Sequence, residues 1–129
     1  MRPSITFLKN LVLQENSEVY NAKMNSRVVN ESELFRDFYE KLKFPGYFGF
    51  NWDALWDCLR DLHWIDQKEI NIVYDNLPSS DKYLSKKILK FLIEASNDWH
   101  NDEEHYLVIT FPLSKQKEIQ SLLEDNIAK

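Results

Sequence analysis

The sequence predicts an α/β fold in which helices pack against a parallel sheet. Short apolar runs suited to strands occur at 19–24, 69–74 and 106–111, and segments with helical periodicity separate them. Strands that alternate with helices in this way are typical of parallel sheets with right-handed crossovers. The chain has 129 residues, of which 43% are hydrophobic, enough for a single domain over 1–129 with its own core.

The first 17 residues allow two interpretations. The apolar runs 5–8 and 11–13 could form two short strands, or they could form one helical turn. The run 19–24 predicts a strand, and Asn25-Ser26 after it is a turn signal.

A helix is predicted after this turn. Asn30 with Glu33 three residues later indicates a capping box, with Ser32 as a competing cap. The helix should end before Pro45, because the residue that precedes a proline avoids helical angles. Its buried face is predicted to comprise Leu34, Phe35, Phe38, Tyr39 and Leu42.

The stretch 44–64 has the densest signals in the chain. Both glycines, Gly46 and Gly49, lie in an aromatic loop here, and we expect each to adopt a backbone angle that other residues avoid. Asn51 is a good N-cap for a helix from Trp52 to about His63.

The two faces of this central helix differ sharply. The core-facing stripe is Leu55, Leu59 and Leu62, with Cys58 beside them. Asp53, Asp57 and Asp61 recur on the opposite side, and Arg60 is the only base near them. Like charges at this spacing each cost about 0.2–0.5 kcal/mol. A solvated face would explain an ordinary charge run, but this uncompensated row, flanked by Tyr47 and Trp56, favours a binding surface.

The remaining elements complete the alternation. A strand is predicted at 69–74, a long helix after Pro78-Ser79-Ser80-Asp81, a polar loop at 101–104 and a buried strand at 106–111. Ser114 is expected to cap a last helix over 114–128. The long helix should bury Leu84, Ile88, Phe91, Leu92, Ala95 and Trp99, and the last one Ile119, Leu122, Leu123 and Ile127.

Composition limits the classes of partner. The net charge of −5 argues against nucleic-acid binding and favours a cationic partner. A single cysteine rules out an intramolecular disulfide and fits a reducing compartment. The N-terminus carries no long apolar run, so we expect no signal peptide and no membrane partner. The sequence thus predicts a cytoplasmic monomer without a cofactor.

A family resemblance lies in the central stretch. Tyr47-Phe48-Gly49, followed by the run from Asn51 to Leu59, resembles the signature of the barstar family, intracellular inhibitors of bacterial ribonucleases. The resemblance implies a barstar-like three-stranded parallel sheet packed by helices. By element order it covers about 19–111, which leaves the N-terminal 17 residues and the last helix as extensions.

The resemblance also implies a mechanism. An acidic helix and an aromatic loop would occlude the active site of a basic bacterial ribonuclease, barnase-like or a toxin domain. Asp57 would enter its phosphate site, Asp53 would contact its arginines, and Tyr47 would stack on its catalytic histidine. The partner-binding positions implied are Tyr47, Gly49, Asn51, Asp53, Trp56, Asp57 and Glu94.

Glu94, Cys58 and the aspartates each allow a second interpretation. Glu94 could instead pair with Lys90 on a solvated helix face. Cys58 with His63 could suggest a thiol nucleophile, although a small buried hydrophobe is the favoured interpretation of this cysteine. The aspartates could also form a general acid/base pair, but catalytic carboxylates usually lie in a concavity rather than on an outward helix face.

Two further hypotheses concern other ligands. His100 and His105 flank 102–104 and could bind a metal, although no familiar ligand spacing occurs, and we expect no metal site. The same acidic face could also serve an immunity protein whose toxin is not a ribonuclease.

Overall fold

The computed structural model describes residues 4–13, 15–99 and 103–124. Strands and helices alternate through most of this length, as the sequence predicts. In chain order the elements are β1 (Ile5–Leu8), β2 (Val19–Lys23), α1 (Glu31–Lys41), α2 (Trp52–Leu59), β3 (Glu69–Val73), α3 (Lys82–Asp98), β4 (Tyr106–Pro112), a 3₁₀ turn (Leu113–Lys115) and α4 (Gln116–Glu124).

Within the described residues the sheet has four parallel strands in the order β1-β4-β3-β2, so the expectation of three strands is wrong. The additional strand is β1, which pairs with β4 from Ile5 opposite Ile109 to Leu8 opposite Pro112. It covers backbone groups of β4 that an edge strand would leave unpaired, and Phe7 stacks on Phe111. The second apolar run, 11–13, lies outside the sheet, and Val12 is 78% exposed.

Helix α1 follows the predicted pattern, with Leu34, Phe35, Phe38 and Leu42 buried and Tyr39 partly buried. The Asn30 side chain accepts a hydrogen bond from the Glu33 N–H at 2.9 Å, as in a capping box. Glu33 in return accepts from the N–H of Val29, one residue before the position that a capping box uses.

Helix α2 is shorter than predicted. It ends at Leu59 rather than near His63, and the chain then turns so that the N–H of Leu62 donates to the carbonyl of Cys58. Leu62 adopts a left-handed backbone with φ 51° while its side chain is fully buried. Burial of a leucine contributes about 1.5–3 kcal/mol, which offsets the roughly 1–2 kcal/mol cost of that angle.

The expectation for the glycines is wrong, since neither Gly46 nor Gly49 has a positive φ. Lys43 and Phe50 adopt the left-handed region instead, each with φ 54°. A Cβ on Gly46 would meet no atom within 4 Å, whereas one on Gly49 would lie 3.2 Å from the Asn51 amide nitrogen. The absence of a side chain at Gly49 therefore leaves space for the Asn51 cap of α2. At Gly46 the surroundings leave room for a side chain.

The C-terminal part differs from the prediction at one cap. Asp81 caps α3 as its N-cap, but Ser114 lies inside the 3₁₀ turn, and α4 begins only at Gln116. Ile119 and Leu122 of α4 are buried, and Ile127 lies outside the described residues. None of the helices in the described part of the chain has the length and apolar character needed to cross a membrane.

Candidate partner-binding site

The aromatic loop, residues 46–50, is anchored by one ring. Phe48 is buried, and its ring centroid lies 4.9 Å from that of Phe44 and 4.8 Å from that of Phe50. Tyr47 points the other way and is 71% exposed. An aromatic side chain held out by a packed neighbour offers contact area with few rotors to restrain on binding.

Asn51 joins this loop to α2. Its Oδ1 accepts from the N–H of Ala54 at 2.8 Å, and its Nδ2 donates to the carbonyl of Gly49 at 3.2 Å. Both ends of the side chain are therefore engaged inside the protein. Asn51 and Gly49 set the angle between the loop and the helix, a positioning role that the motif alone does not reveal.

Asp53 and Asp57 lie one turn apart on α2, and both are exposed. We call this pair the acidic ridge. Within residues 4–13, 15–99 and 103–124, neither carboxylate takes part in a side-chain hydrogen bond or ion pair. Asp53 lies near the positive end of the helix, which favours it. Asp57 lies near the negative end, and the last turn carries no base, so the fold leaves its charge uncompensated.

Asp61 does not extend the ridge along the helix, which corrects the predicted row of three. It lies in the turn after α2, where its carboxylate is 2.9 Å from Nδ1 of His63. The pKa of the Tyr47 hydroxyl is raised, first by partial desolvation and then by the negative charge of Asp61.

Cys58 faces the core on the side of α2 opposite the ridge, with 4% of its surface exposed. Burial raises the pKa of its thiol to about 11, and the charges of Asp61 and then Asp57 add to this rise. Reactive cysteines have a lowered pKa instead, and His63 is paired with Asp61. These features favour the buried hydrophobe over the nucleophile.

Arg60, the base beside the ridge, is turned away from it. Its Nε donates to Asp98 at 2.5 Å and its Nη2 to Glu103 at 3.5 Å. The guanidinium carbon lies 4.1 Å from the centroid of the Trp99 ring. The side chain thus reaches toward the end of α3, and the ridge keeps its negative charge.

Helix α3 supports α2 along its length. Trp52 and Trp56 both pack against Phe91, with ring centroids 5.1 and 5.8 Å apart, and Lys87 lies over the Trp52 ring. Trp56 is partly buried by this contact. These packed aromatic pairs hold α2 in a fixed position on the body of the protein.

Glu94 is exposed and lies on the side of α3 that faces α2. Helical spacing places it on the same face as Lys87 and Phe91, which contact α2, and as Asp98, which contacts Arg60 directly after α2. The alternative pair with Lys90 does not form among the described residues.

Comparison with known proteins gives a family match. The family model "Barstar (barnase inhibitor)" matches residues 22–111, more than half of the chain. The chain belongs to the barstar family. All seven predicted contact residues lie inside the matched range, whereas β1 and α4 lie outside it.

A Bacillus subtilis (strain 168) protein named "Putative ribonuclease inhibitor YrdF" is 36% identical over 72 residues. The alignment covers 54% of this chain and 76% of that protein.

The described part of the polar loop before β4 contains one histidine of the metal hypothesis, His105. His105 is 1% exposed, and its Nδ1 lies 2.8 Å from the carbonyl of Gln67. In the described ranges no three His, Cys, Asp or Glu side chains form a group that could hold a metal. His100 and Asp102 of the metal hypothesis lie outside those ranges.

Sequence reasoning missed the groups that position the ridge. Asp98 and Glu103 hold Arg60, and the indole N–H of Trp99 donates to the carbonyl of Leu59 at the end of α2. These contacts join residues about 40 positions apart in the chain. Local periodicity identifies Trp99 as apolar, but it carries no signal for such distant partners.

Proposed function

We propose that this protein inhibits a basic bacterial ribonuclease by covering its active site with the acidic ridge and the aromatic loop. One observation carries the proposal: Asp53 and Asp57 are exposed and unpaired among the described residues, on a helix fixed by aromatic packing. Membership of the barstar family and the name of the Bacillus subtilis relative support it.

The ridge suits a cleft that binds RNA phosphate. Carboxylates accept charge-assisted, often bidentate hydrogen bonds from arginine, as a phosphate does. Asp57 would occupy the phosphate site, and Asp53 would meet the arginines at its edge. Tyr47 would stack on the catalytic histidine of the enzyme. Because the ridge and loop are already ordered, binding would immobilise few additional side chains.

Residues that surround the ridge would make the remaining contacts with the ribonuclease. Trp56 would contribute the part of its ring that Phe91 leaves open, and Glu94 would extend the negative surface along α3. Gly49 and Asn51 would meet the enzyme at the base of the loop. In this proposal the protein has no catalytic activity of its own and acts as a monomer in the cytoplasm, without nucleic acid, membrane or cofactor. Its target is either an enzyme that the same bacterium secretes or a toxin domain delivered by a competitor.

The test compares two variants that each lose one negative charge. Asp57→Asn removes charge from the ridge, and Glu118→Gln removes it from α4, where Glu118 is exposed and forms an i,i+3 pair with Lys115. Inhibition is measured by RNA cleavage against a panel of purified basic bacterial ribonucleases. We expect Asp57→Asn to weaken inhibition by about 2 kcal/mol or more, roughly thirtyfold, as truncation of a central interface residue does.

Equal potency of Asp57→Asn and Glu118→Gln would remove Asp57 from the interface. If the wild-type protein inhibits no ribonuclease in the panel, affinity capture with the wild type and with Asp57→Asn identifies the target. A toxin of another class that only the wild type captures would make this an immunity protein acting through the same ridge.

A further inference from the structure

Arg60, the basic residue nearest to the acidic ridge in the sequence, occupies an unexpected position. Arg60 follows Asp57 by three residues and precedes Asp61 directly, and side chains three apart on a helix are neighbours. An exposed arginine at this place would pair with the ridge. The structure shows it on the other side, against the end of α3 and the segment before β4.

Three side chains hold Arg60 there, and we call them the Arg60 cage. Asp98 and Glu103 accept from two different nitrogens of the guanidinium, and Trp99 stacks under its plane. Trp99 is itself fixed, because its indole N–H donates to the carbonyl of Leu59 at 3.0 Å. The Arg60 side chain is only 20% exposed, so these contacts are less screened by water than those of a surface pair.

The cage has a direct consequence for the ridge. A guanidinium paired with Asp57 would occupy the oxygen lone pairs that an arginine of a partner needs. It would also cancel part of the negative charge that draws a basic protein into contact. An arginine three residues away is present at a high local concentration and would compete with every incoming cation.

We propose that Asp98, Trp99 and Glu103 sequester Arg60 so that Asp57 stays free for the cationic partner. This inference rests on the proposed function for its biological meaning, but the cage itself can be tested in the protein alone. The three residues and Arg60 act as positioning residues. They set the rate of association, and no contact between them and the partner is required.

The first experiment uses the free protein. The double variant Asp98→Asn/Glu103→Gln opens the cage and keeps Arg60; both carboxylates are partly exposed, so their replacement should leave the fold intact. The carboxylate carbon of Asp57 is followed by NMR as Arg60→Gln is added to each background. We expect Arg60→Gln to shift this resonance in the open-cage protein and leave it unchanged in the wild type. A shift of equal size in both would show that Arg60 already reaches the ridge and would overturn the inference.

The second experiment measures association with a basic ribonuclease that the wild type inhibits. Opening the cage should slow association at least about threefold, and adding Arg60→Gln should restore it. The control, Glu118→Gln/Glu124→Gln, makes the same change in net charge on α4 and should change the rate less. Equal rates in the open-cage and control proteins would contradict the inference. If no ribonuclease binds the wild type, the proposed function fails, and the NMR comparison still decides whether the cage exists.

Discussion

Helices α1 and α2 are both amphipathic and acidic, yet they use their carboxylates differently. Three carboxylates of α1 hold the fold together: Glu31 accepts from the Trp52 indole, Glu33 from the Val29 N–H, and Asp37 from the Asn25 N–H and the Lys41 ammonium. Asp53 and Asp57 of α2 have no such partner in the described ranges. The contrast separates carboxylates that stabilise the protein from those that stay unpaired among the described residues and that we propose bind a partner.

The largest effect on stability is expected at Asp37. It is 7% exposed and accepts at 2.8 Å from Asn25 and 2.6 Å from Lys41. Asp37→Ala leaves a backbone N–H unsatisfied and should lower the free energy of unfolding by about 2 kcal/mol. Asp57→Ala should leave stability unchanged or raise it by a few tenths of a kcal/mol, because it relieves repulsion along the helix.

Urea unfolding measures the free energy of unfolding of each variant. Ribonuclease inhibition, corrected for the folded fraction, measures the inhibitory activity of each variant. Asp37→Ala should lower the free energy of unfolding but keep inhibitory activity. Asp57→Ala should keep the free energy of unfolding but inhibit weakly. A stability loss at Asp57 as large as that at Asp37 would mean that Asp57 is structural, and the contrast between the helices would disappear.

The two N-caps offer a smaller, matched comparison. Asn30 and Asn51 each accept from a helix N–H, at 2.9 and 2.8 Å. Replacing either by alanine should lower the free energy of unfolding by about 1 kcal/mol. Only Asn51→Ala should also weaken inhibition, because Asn51 additionally holds the loop that carries Tyr47 through the Gly49 carbonyl. Equal inhibition by the two variants, measured where both are folded, would show that the loop keeps its shape without this bond.

The smallest expected effect is the pH dependence of stability that arises from Cys58 on the buried side of α2. The pKa of Cys58 is raised to about 11 by burial first and by Asp61 and Asp57 next. The folded protein therefore binds the thiol proton more tightly than the unfolded chain does. The resulting stability is complete below the ordinary thiol pKa and is lost as pH rises through about 11.

Urea unfolding across alkaline pH should show a steeper loss of stability in the wild type than in Cys58→Ala. In Asp61→Asn the thiolate absorbance should appear at lower pH than in the wild type, because one source of negative charge is gone. An unchanged thiol titration in Asp61→Asn would show that burial alone sets this pKa and that the charge does not reach across the helix.

Local signals were sufficient for most elements and for the ridge. The periodicity of α1 predicts that helix correctly, and the cap residue Asn51 predicts the start of α2, since both signals depend on residues a few positions apart. The membership of β1 in the sheet was not predictable, because a four-residue apolar run joins a sheet only when a distant strand offers an edge. The early end of α2 was not predictable either, because Leu62 is buried with a left-handed backbone angle that helical periodicity does not indicate.

The positions of charged side chains were harder to predict than the elements. The sequence places Arg60 beside the aspartates, and the structure pairs it with residues about 40 positions away. Asp37 resembles any other surface acid in the helical pattern, yet it is buried and satisfied. Whether a carboxylate is free is decided by tertiary contacts, which periodicity does not encode.

The central claim is that the ridge enters the phosphate-binding cleft of a ribonuclease. Competition tests it most directly: the association rate of this protein with an inhibited ribonuclease is measured with increasing amounts of a mononucleotide that occupies the cleft. The account predicts that association slows in proportion to the fraction of enzyme carrying the nucleotide. An association rate that stays constant when the cleft is saturated would place the contact elsewhere on the enzyme and contradict the account.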